Sequence, residues 1–362
     1  MHHRKKEMLE FLANFEGMPG RLMKYLELLL LGEDASPFCY QDSMSYRRLA
    51  IAITTYCNLK CKWCYRHDSQ YQGVLNKHIR LEVLRNIVSN TEGHFRLIHL
   101  AGLGEPLLYP NLAEAIRIVR EKSDNVKITT NGTLLTPQKV DEIVAAGLTH
   151  IELSVDAFSM DKLTEFRGSD LRQIVGMIKY ISNETKLFLQ INSVVASLNY
   201  NALFNIVDVL KEAKNIKVIH TIPLFMTEQL RNDKCKKVSD EDYISLLDKI
   251  EKDIKANRLD WKVQPSAYGV SIDPVIEMKR QKNICFSCFE DPFINTDGYL
   301  CPCPRREFDP LHDAIGGLEK AMNSQNALEY RKNMLKGNYP EFCGEICFLK
   351  EKKGNVALRT NY

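Results

Sequence analysis

The chain has 362 residues, enough for two domains, and its 44% hydrophobic and 26% charged content is ordinary for a globular protein. Its net charge of +3 is too small to favour nucleic acid or an anionic membrane surface as a partner. No segment approaches the ~20 apolar residues that a membrane helix needs, and the charged start lacks the apolar core of a signal peptide. The composition therefore predicts neither a membrane span nor secretion.

The eleven cysteines are distributed unevenly along the chain. Three lie within residues 57–64 and six within residues 285–347, which leaves Cys39 and Cys235 alone. Secreted chains of this size seldom cluster thiols in this way, whereas clustered thiols in cytosolic chains usually bind metal. The sequence therefore predicts a protein of the reducing cytoplasm with metal-binding cysteines.

Residues 1–48 contain apolar side chains at spacings of three and four, which predicts a helical cap on the core. From residue 49 to 235, apolar β-branched runs alternate with amphipathic stretches. The runs predict six strands, at Leu49–Thr55, Phe95–Leu100, Val126–Thr130, His150–Val155, Leu187–Val195 and Ile216–Ile222. Six βα units with right-handed crossovers indicate an α/β fold, a parallel sheet curled into a partial (β/α)6 TIM-like barrel. Ligands of such folds bind at the carboxyl ends of the strands.

The remaining chain divides into three parts. Residues 236–283 are polar with one amphipathic helix, so we interpret them as a helical linker. Residues 284–350 hold the second group of cysteines and predict a small domain of a β-hairpin and helices. Residues 351–362 are a charged tail.

The motif Cys57-Asn-Leu-Lys-Cys61-Lys-Trp-Cys64 follows the first predicted strand. Thiolates at this density suit soft metals and iron–sulfur clusters. Three neighbouring cysteines cannot all pair among themselves, and structural zinc usually takes four protein ligands, although a zinc or disulfide site remains the alternative. Three cysteines would bind three irons of a [4Fe–4S] cluster and leave the fourth iron open to another ligand.

This spacing, with Trp63 just before the last cysteine, resembles the radical S-adenosylmethionine (SAM) superfamily. The resemblance implies the partial barrel and a [4Fe–4S] cluster on Cys57, Cys61 and Cys64. It also implies reductive cleavage of bound SAM to methionine and a 5′-deoxyadenosyl radical, which abstracts hydrogen from a substrate carbon. An electron donor such as flavodoxin or ferredoxin would supply the electron.

The segment Gly104-Glu105-Pro106 follows the second strand. Its glycine allows the backbone to come close to a ligand, and its carboxylate can pair with an ammonium group. By itself it would be an ordinary turn. In its position it resembles the family element that binds the SAM amino group, with Leu103 in place of the first glycine of Gly-Gly-Glu-Pro. Similar enzymes suggest further SAM contacts, namely Trp63 for the adenine, Thr130, Asn131 and Arg167 for the methionine carboxylate, and Ser154 for the ribose or carboxylate.

Each of these positions also has a plain structural interpretation: Trp63 as a core aromatic, Thr130, Asn131 and Ser154 as turn formers, and Arg167 as a member of a surface ion pair. Asn192 is an inward polar residue in an apolar strand and needs a polar partner, which we expect to be the ribose. Cys235 would be a hydrogen-atom donor, as cysteines are in some related epimerases, or an incidental thiol.

The second cysteine group begins with Cys288-x9-Gly298-x4-Cys303 and ends with Cys343-x3-Cys347. A turn sequence at residues 295–298 predicts a hairpin that brings Cys288 and Cys303 alongside each other. The pattern resembles the SPASM/twitch extension of radical SAM enzymes, which implies one auxiliary [4Fe–4S] cluster on these four cysteines. Two nearby cysteines, Cys285 and Cys301, are spare and would be able to replace a ligand. A zinc ribbon is the alternative.

An auxiliary cluster beside the barrel mouth would accept the electron left on a substrate radical. This favours net oxidation, either dehydrogenation or cross-linking, of a ribosomal peptide or a small sugar-like or aminocyclitol-like metabolite. A redox-neutral epimerase or rearrangement enzyme with a structural cluster is the second hypothesis. A non-catalytic iron–sulfur carrier or scaffold is the third, and RNA modification lacks a basic surface pattern.

Overall fold

The computed structural model describes residues 48–224, 235–265 and 287–336, together with Leu230, Asn338, Pro340 and Cys343. The predicted helical cap before residue 48 and the tail 351–362 lie outside the described residues, as do Cys39, Cys285 and Cys347. Among the residues that are described, no helix combines the length and the apolar character that crossing a bilayer requires.

Seven parallel strands form the body of the sheet, and each pairs with the next along the chain. They are β1 (Arg48–Ala52), β2 (Leu97–Ala101), β3 (Val126–Thr130), β4 (His150–Ser154), β5 (Phe188–Val195), β6 (Ile216–Pro223) and β7 (Lys262–Pro265). The first six strands confirm the predicted α/β architecture to within a few residues. In the described sheet, β7 is an edge strand and does not pair with β1, so the sheet stays open.

Helices connect the strands and cover the apolar side of the sheet. They are α1 (Leu81–Asn90), α2 (Leu112–Arg120), α3 (Pro137–Ala145), α4 (Met160–Arg167), α5 (Leu171–Glu184), α6 (Tyr200–Leu203), α7 (Ile206–Leu210) and α8 (Asp240–Ala256). Strand β4 illustrates the division between the two faces of the sheet, because Ile151 and Leu153 are fully buried while Glu152 and Ser154 keep some exposure. The apolar residues join the buried helix faces in one hydrophobic core, and the polar residues face the opposite side.

The fold differs from the prediction between residues 236 and 265. We expected a helical linker there, but α8 and β7 form a seventh helix–strand unit, and β7 extends the parallel sheet beside β6. The strand has four residues, none fully buried, and includes Lys262 and Pro265. A strand this short and polar has no apolar run for the sequence pattern to detect.

The C-terminal region extends the same sheet at its other edge. The predicted hairpin is confirmed: β8 (Phe293–Ile294) pairs antiparallel with β9 (Tyr299–Cys301), which pairs with β10 (His312–Asp313). Gly298 adopts φ +87° in the turn, and its amide donates to the carbonyl of Asn295 at 3.0 Å. Short helices flank the hairpin, namely α9 (Ser287–Glu290), α10 (Leu318–Met322) and α11 (Gln325–Lys336). Because β8 runs parallel to β1, the carboxyl ends of these two strands lie side by side.

Candidate active site

Residues 57–64, here called the cysteine loop, leave the sheet just beyond the carboxyl end of β1. Cys61 is buried, whereas Cys57 and Cys64 are partly exposed. The loop is attached to α4, because the amide of Lys62 donates to the carbonyl of Phe166 at 3.0 Å. The three thiols therefore lie on one loop at the end of the sheet where ligands bind in such folds.

The donor set of the cysteine loop is of the kind that binds an iron–sulfur cluster, because it consists of three thiols on one short loop. A [4Fe–4S] cluster binds each thiolate through a different iron, so these three would bind three of its four irons. Burial raises the pKa of Cys64 to about 11, so a cluster that binds here would displace the proton of this thiol.

The segment after β2 packs directly on the backbone that precedes the cysteine loop. A Cβ atom at Gly104 would overlap the carbonyl oxygen of Tyr56 and lie 2.7 Å from that of Thr54. Gly102 has φ +127°, and a Cβ atom there would also lie 2.7 Å from the carbonyl oxygen of Thr54. The amide of Glu105 then donates to the Tyr56 carbonyl at 2.7 Å. Only glycine allows this contact, which holds Glu105 next to the cysteine loop.

The carboxylate of Glu105 is 2% exposed and joins the ends of β2 and β3. Its Oε1 accepts from the Thr130 hydroxyl at 2.6 Å and from the Leu107 amide at 3.2 Å. Its Oε2 accepts from the Asn131 amide at 2.7 Å. Burial raises the pKa of Glu105, and these three hydrogen bonds offset part of the rise. A carboxylate has about four acceptor positions, so one position on Oε2 remains for a ligand cation.

Asp156, two residues beyond β4, connects three parts of the site. It is 1% exposed, and its Oδ2 accepts from Nε1 of Trp63 at 2.9 Å. The same oxygen lies 3.0 Å from Nε of Arg167, and Oδ1 accepts from the Val194 amide at 2.8 Å. Arg167 also donates from Nη1 to the carbonyl of Ser154 at 2.5 Å. The predicted ion pair of Arg167 therefore exists, but it is buried instead of lying on the helix surface.

Trp63 takes the core position that the sequence analysis considered as its alternative. The indole is 7% exposed, and its ring centroid lies 4.9 Å from that of Phe166. This packing and the hydrogen bond to Asp156 fix the position of Trp63 between Cys61 and Cys64. The side chain of Trp63 thus orients the cysteine loop, while the backbone contact to adenine stays a prediction.

A hydrogen-bonded polar network occupies the polar face of β3, β4 and β5. Oε2 of Glu152 accepts from the Thr129 hydroxyl at 2.6 Å and from Nδ2 of Asn192 at 3.0 Å. Its Oε1 pairs with Nζ of Lys127 at 2.6 Å. Oδ1 of Asn192 in turn accepts from Gln190 at 2.7 Å. Asn192, which we expected to contact the ribose, already has both ends of its amide engaged within the protein.

Charge and burial in this network act on two pKa values in particular. The pKa of Glu152 is lowered to about 2, because Lys127 and the hydrogen bonds outweigh the opposing effect of burial. Burial, with help from Lys127, lowers the pKa of His99 to about 3. Nε2 of His99 lies 2.9 Å from Oγ1 of Thr129, whose hydrogen is donated to Glu152. This arrangement favours a neutral His99 that donates from Nε2 to Thr129.

The C-terminal cysteines separate into two environments. Cys288 and Cys343 are buried and Cys303 is partly exposed. Burial raises the pKa of Cys288, Arg331 opposes the rise, and the thiols of Cys303 and Cys343 are close enough to add to it. Cys303 interacts in the same way with Cys301, and the fourth expected ligand, Cys347, lies outside the described residues.

Cys301 has the environment of a core thiol. Its Sγ is 3.5 Å from the carbonyl oxygen of Glu307 and 3.7 Å from that of Tyr299, so its single hydrogen has two backbone acceptors within reach. The side chain packs in a small buried cluster with Ala52 and Phe293. We therefore retain Cys303 as the expected ligand in this segment and not Cys301.

Aromatic contacts join the cysteine loop to the C-terminal region. The hydroxyl of Tyr71 donates to the carbonyl of Arg305 at 2.7 Å, two residues after Cys303. The Arg305 guanidinium lies 5.7 Å from the ring centroid of Tyr65, which directly follows the cysteine loop. The Tyr65 and Tyr71 rings are 5.2 Å apart. The two cysteine groups are thus held on the same side of the protein.

Cys235 lies just before α8, far in sequence from both cysteine groups. It is 1% exposed and belongs to the main hydrophobic core. This location favours the interpretation of Cys235 as an incidental thiol, and we do not include it in the proposed site.

The sequence analysis did not select Asp156, Glu152, Lys127 or His99. The sequence does contain a signal for Lys127 and Glu152, because in β3 and β4 these charged residues alternate with fully buried apolar ones. It is the same pattern that predicts a polar partner for Asn192 of β5. For Asp156 no local pattern exists, because its partners come from distant parts of the chain.

Comparison with known proteins identifies the domain type. Residues 51–195 match the family model described as the radical SAM superfamily. A probable GTP 3',8-cyclase of Methanocaldococcus jannaschii is 29% identical over 286 residues, which cover 76% of this chain and 91% of that protein.

Solved structures show the same fold. Streptococcus suis SuiB bound to the precursor peptide SuiA matches with a TM-score of 0.62 and 17% identity, over 90% of this chain and 78% of that one. The structure of anSMEcpe with bound AdoMet, which is SAM, has a TM-score of 0.60 and 19% identity, over 87% and 93%. These matches confirm the partial TIM-like barrel.

Proposed function

We propose that this chain is a radical SAM enzyme, as the match of residues 51–195 to that family model indicates, and that it oxidises a carbon of a peptide or of a small polyhydroxylated metabolite. When bound, the [4Fe–4S] cluster and SAM supply reductive cleavage of SAM and a 5′-deoxyadenosyl radical that abstracts hydrogen. The protein's own residues bind these groups, orient them and exclude water.

Cys57, Cys61 and Cys64 would bind the cluster. Glu105 would bind the SAM ammonium group, since its Oε2 keeps one acceptor position and its carboxylate is desolvated. Thr130 and Asn131 hold that carboxylate through the hydroxyl and the amide that they donate to it. Their proposed contact with the methionine carboxylate would therefore use other atoms of the same residues.

Ser154 is the remaining candidate for the ribose. It is the last residue of β4, is partly exposed, and lies in register with Asn192 of β5. Its backbone carbonyl accepts from Arg167, and we propose that its hydroxyl binds the ribose. Asn192 would reach the ribose only through its remaining amide hydrogen, so we rank Ser154 first.

Net oxidation is supported above all by the contacts that join the segment after Cys303 to the cysteine loop. The Tyr71 hydroxyl donates to the Arg305 carbonyl, and Tyr65 lies between the Arg305 guanidinium and the Tyr71 ring. We propose that Cys288, Cys303, Cys343 and Cys347 bind an auxiliary [4Fe–4S] cluster. In that position it would take up the electron that a substrate radical loses on oxidation.

A redox-neutral reaction is the second candidate, favoured by the relative named as a GTP 3',8-cyclase, which the chain matches over 91% of its length. The peptide substrate class is supported by the fold similarity to SuiB, whose structure contains a precursor peptide. An external one-electron donor of the flavodoxin or ferredoxin class would serve both candidates.

The test uses the anaerobically reconstituted protein with SAM and dithionite, and adds the peptide fraction or the metabolite fraction of a cell extract. We expect 5′-deoxyadenosine together with a product that is lighter than its precursor by two hydrogen atoms. The double variant Cys288→Ala/Cys303→Ala should still cleave SAM and form little of this product. A product of unchanged mass would favour the redox-neutral candidate, and absence of SAM cleavage in the unaltered protein would contradict both.

A further inference from the structure

The ion pair of Asp156 and Arg167 is nearly free of solvent. The exposed fraction of the Asp156 side chain is 1% and that of Arg167 is 13%, with Oδ2 and Nε 3.0 Å apart. Three protein groups hold it in place, since Trp63 and Val194 donate to the carboxylate and the Ser154 carbonyl accepts from the guanidinium. Charges in such a position are screened little by salt.

This ion pair also adjoins the cysteine loop. Phe166, the neighbour of Arg167, accepts the amide hydrogen of Lys62, the neighbour of Cys61. The electrostatic interaction of Arg167 extends to the thiols of all three loop cysteines as well as to Asp156. A fixed positive charge and a fixed negative charge therefore both face the cluster site from the side of α4 and β4.

Reduction of a cluster adds one electron, and nearby charges decide how favourable that addition is. The reduction potential of an iron–sulfur cluster depends on net charge, hydrogen bonding and exposure to solvent. A buried cation stabilises the added electron, and a buried anion opposes it. We propose that Arg167 raises and Asp156 lowers the reduction potential of the cluster on Cys57, Cys61 and Cys64.

In this role Arg167 is a positioning and tuning residue, and its contact with the SAM carboxylate stays a separate prediction. The inference rests on the proposed function, because it concerns the cluster of the radical SAM domain. It differs from a purely structural role in one respect. If the pair only held the loop, removing either partner would have the same kind of effect, whereas tuning requires shifts of opposite sign.

The experiment is a redox titration of the reconstituted full-length protein, followed by electron paramagnetic resonance with dithionite and viologen mediators. The signal that changes when SAM is added identifies the cluster of the cysteine loop. Arg167→Gln and Asp156→Asn remove one charge each with little change of size. Arg167→Lys keeps the charge, and Arg172→Gln removes a charge from an exposed side chain as the matched control.

We expect Arg167→Gln to shift the midpoint to more negative potential and Asp156→Asn to shift it to more positive potential. Arg167→Lys should shift it much less than Arg167→Gln, and Arg172→Gln should leave it unchanged. Iron content and Trp63 fluorescence report whether each variant keeps its loop. If Asp156→Asn assembles no cluster, the comparison of Arg167→Gln with Arg167→Lys decides.

Unchanged midpoints in well-assembled variants, or shifts of the same sign, would overturn the inference and leave the proposed function intact. An unaltered protein that binds no SAM-sensitive four-iron cluster would overturn the proposed function itself, and this inference with it.

Discussion

The hydroxyl of Thr130 donates a hydrogen bond of 2.6 Å to Oε1 of Glu105. The two residues belong to neighbouring strands, since Thr130 ends β3 and Glu105 follows β2. The sequence analysis assigned them separately to SAM, but the structure makes them one unit in which Thr130 orients the carboxylate. Substitutions of Glu105 and of Thr130 should therefore both weaken SAM binding, but by different amounts.

Glu105→Gln should weaken SAM binding without loss of iron, because it removes the charge assigned to the SAM ammonium group. A charge-assisted hydrogen bond contributes about 1.5–3 kcal/mol, so we expect a loss of affinity of roughly tenfold to a hundredfold. Thr130→Val is the matched control, since it keeps the carboxylate and removes one of its donors, and its loss should be smaller. Anaerobic titration calorimetry measures both, and unchanged affinity in Glu105→Gln would show that Glu105 only shapes the turn.

Replacement of Cys57, Cys61 and Cys64 by Ala should remove about half of the iron and abolish SAM cleavage, given about eight iron atoms per chain in two four-iron clusters. Cys235→Ala is the control, because this thiol lies in the hydrophobic core, and it should leave the iron content unchanged. Iron and zinc are measured by atomic emission. About four iron atoms in the unaltered protein, with zinc in addition, would contradict the auxiliary cluster.

Cys303→Ala and Cys301→Ala should separate a cluster ligand from a core thiol only two residues away. Loss of Cys303 should lower the iron content, because its thiol is close to that of Cys288. Loss of Cys301 should leave iron unchanged, because its Sγ lies against backbone carbonyls and packs with Ala52 and Phe293. The reverse pattern of iron content would exchange the two assignments.

Gly104→Ala should destabilise the protein and impair SAM binding together. The new methyl group would meet the Tyr56 and Thr54 carbonyls, which are backbone and cannot move aside cheaply. Overpacking of this kind costs about 1–3 kcal/mol. Gly176→Ala is the control, since nothing lies within 4 Å of its added methyl group, and in a helix it should stabilise slightly. Urea unfolding compares the two, and equal stabilities would argue against the close packing at Gly104.

His99→Gln should make the protein less sensitive to mild acid. The pKa of His99 is lowered from 6.5 to about 3, so between these values the unfolded chain binds a proton that the folded protein does not. Stability therefore falls with falling pH in this range, by at most about 1.4 kcal/mol per pH unit from this one group.

Glutamine can donate to Thr129 as His99 does and cannot become protonated, so the variant should lose less stability between pH 7 and 5. The free energy of unfolding of the metal-free protein in urea at the two pH values is the measurement. Glu152 does not affect this comparison. Its pKa is about 2, so the stability that its charge contributes is lost only at a pH below this range. Equal pH dependence of the two proteins would show that His99 is not held neutral.

Features that depend on neighbouring residues could be predicted from the amino-acid sequence. The six principal strands are predictable because each is an apolar run that one side of the sheet buries. The three cysteines of residues 57–64 and the turn at residues 295–298 are also local features. The spacing of the cysteines indicates an iron–sulfur site, and the turn residues indicate a hairpin. Strand β7 escaped prediction for the same reason, since it is short and polar and forms only because β6 offers it hydrogen-bonding partners.

Contacts between side chains distant in the sequence could not be predicted and are known from the folded structure. The carboxylate of Asp156 joins Trp63, 93 residues away, and Val194, 38 residues away, and no local pattern encodes such a contact. Cys301 and Cys303 are equivalent in the sequence, but the Cys301 thiol is buried against the Glu307 carbonyl, whereas Cys303 is partly exposed. The partners of a buried polar group depend on how strands and loops pack against one another. Because buried polar groups are almost always hydrogen-bonded, these partners often come from distant parts of the chain.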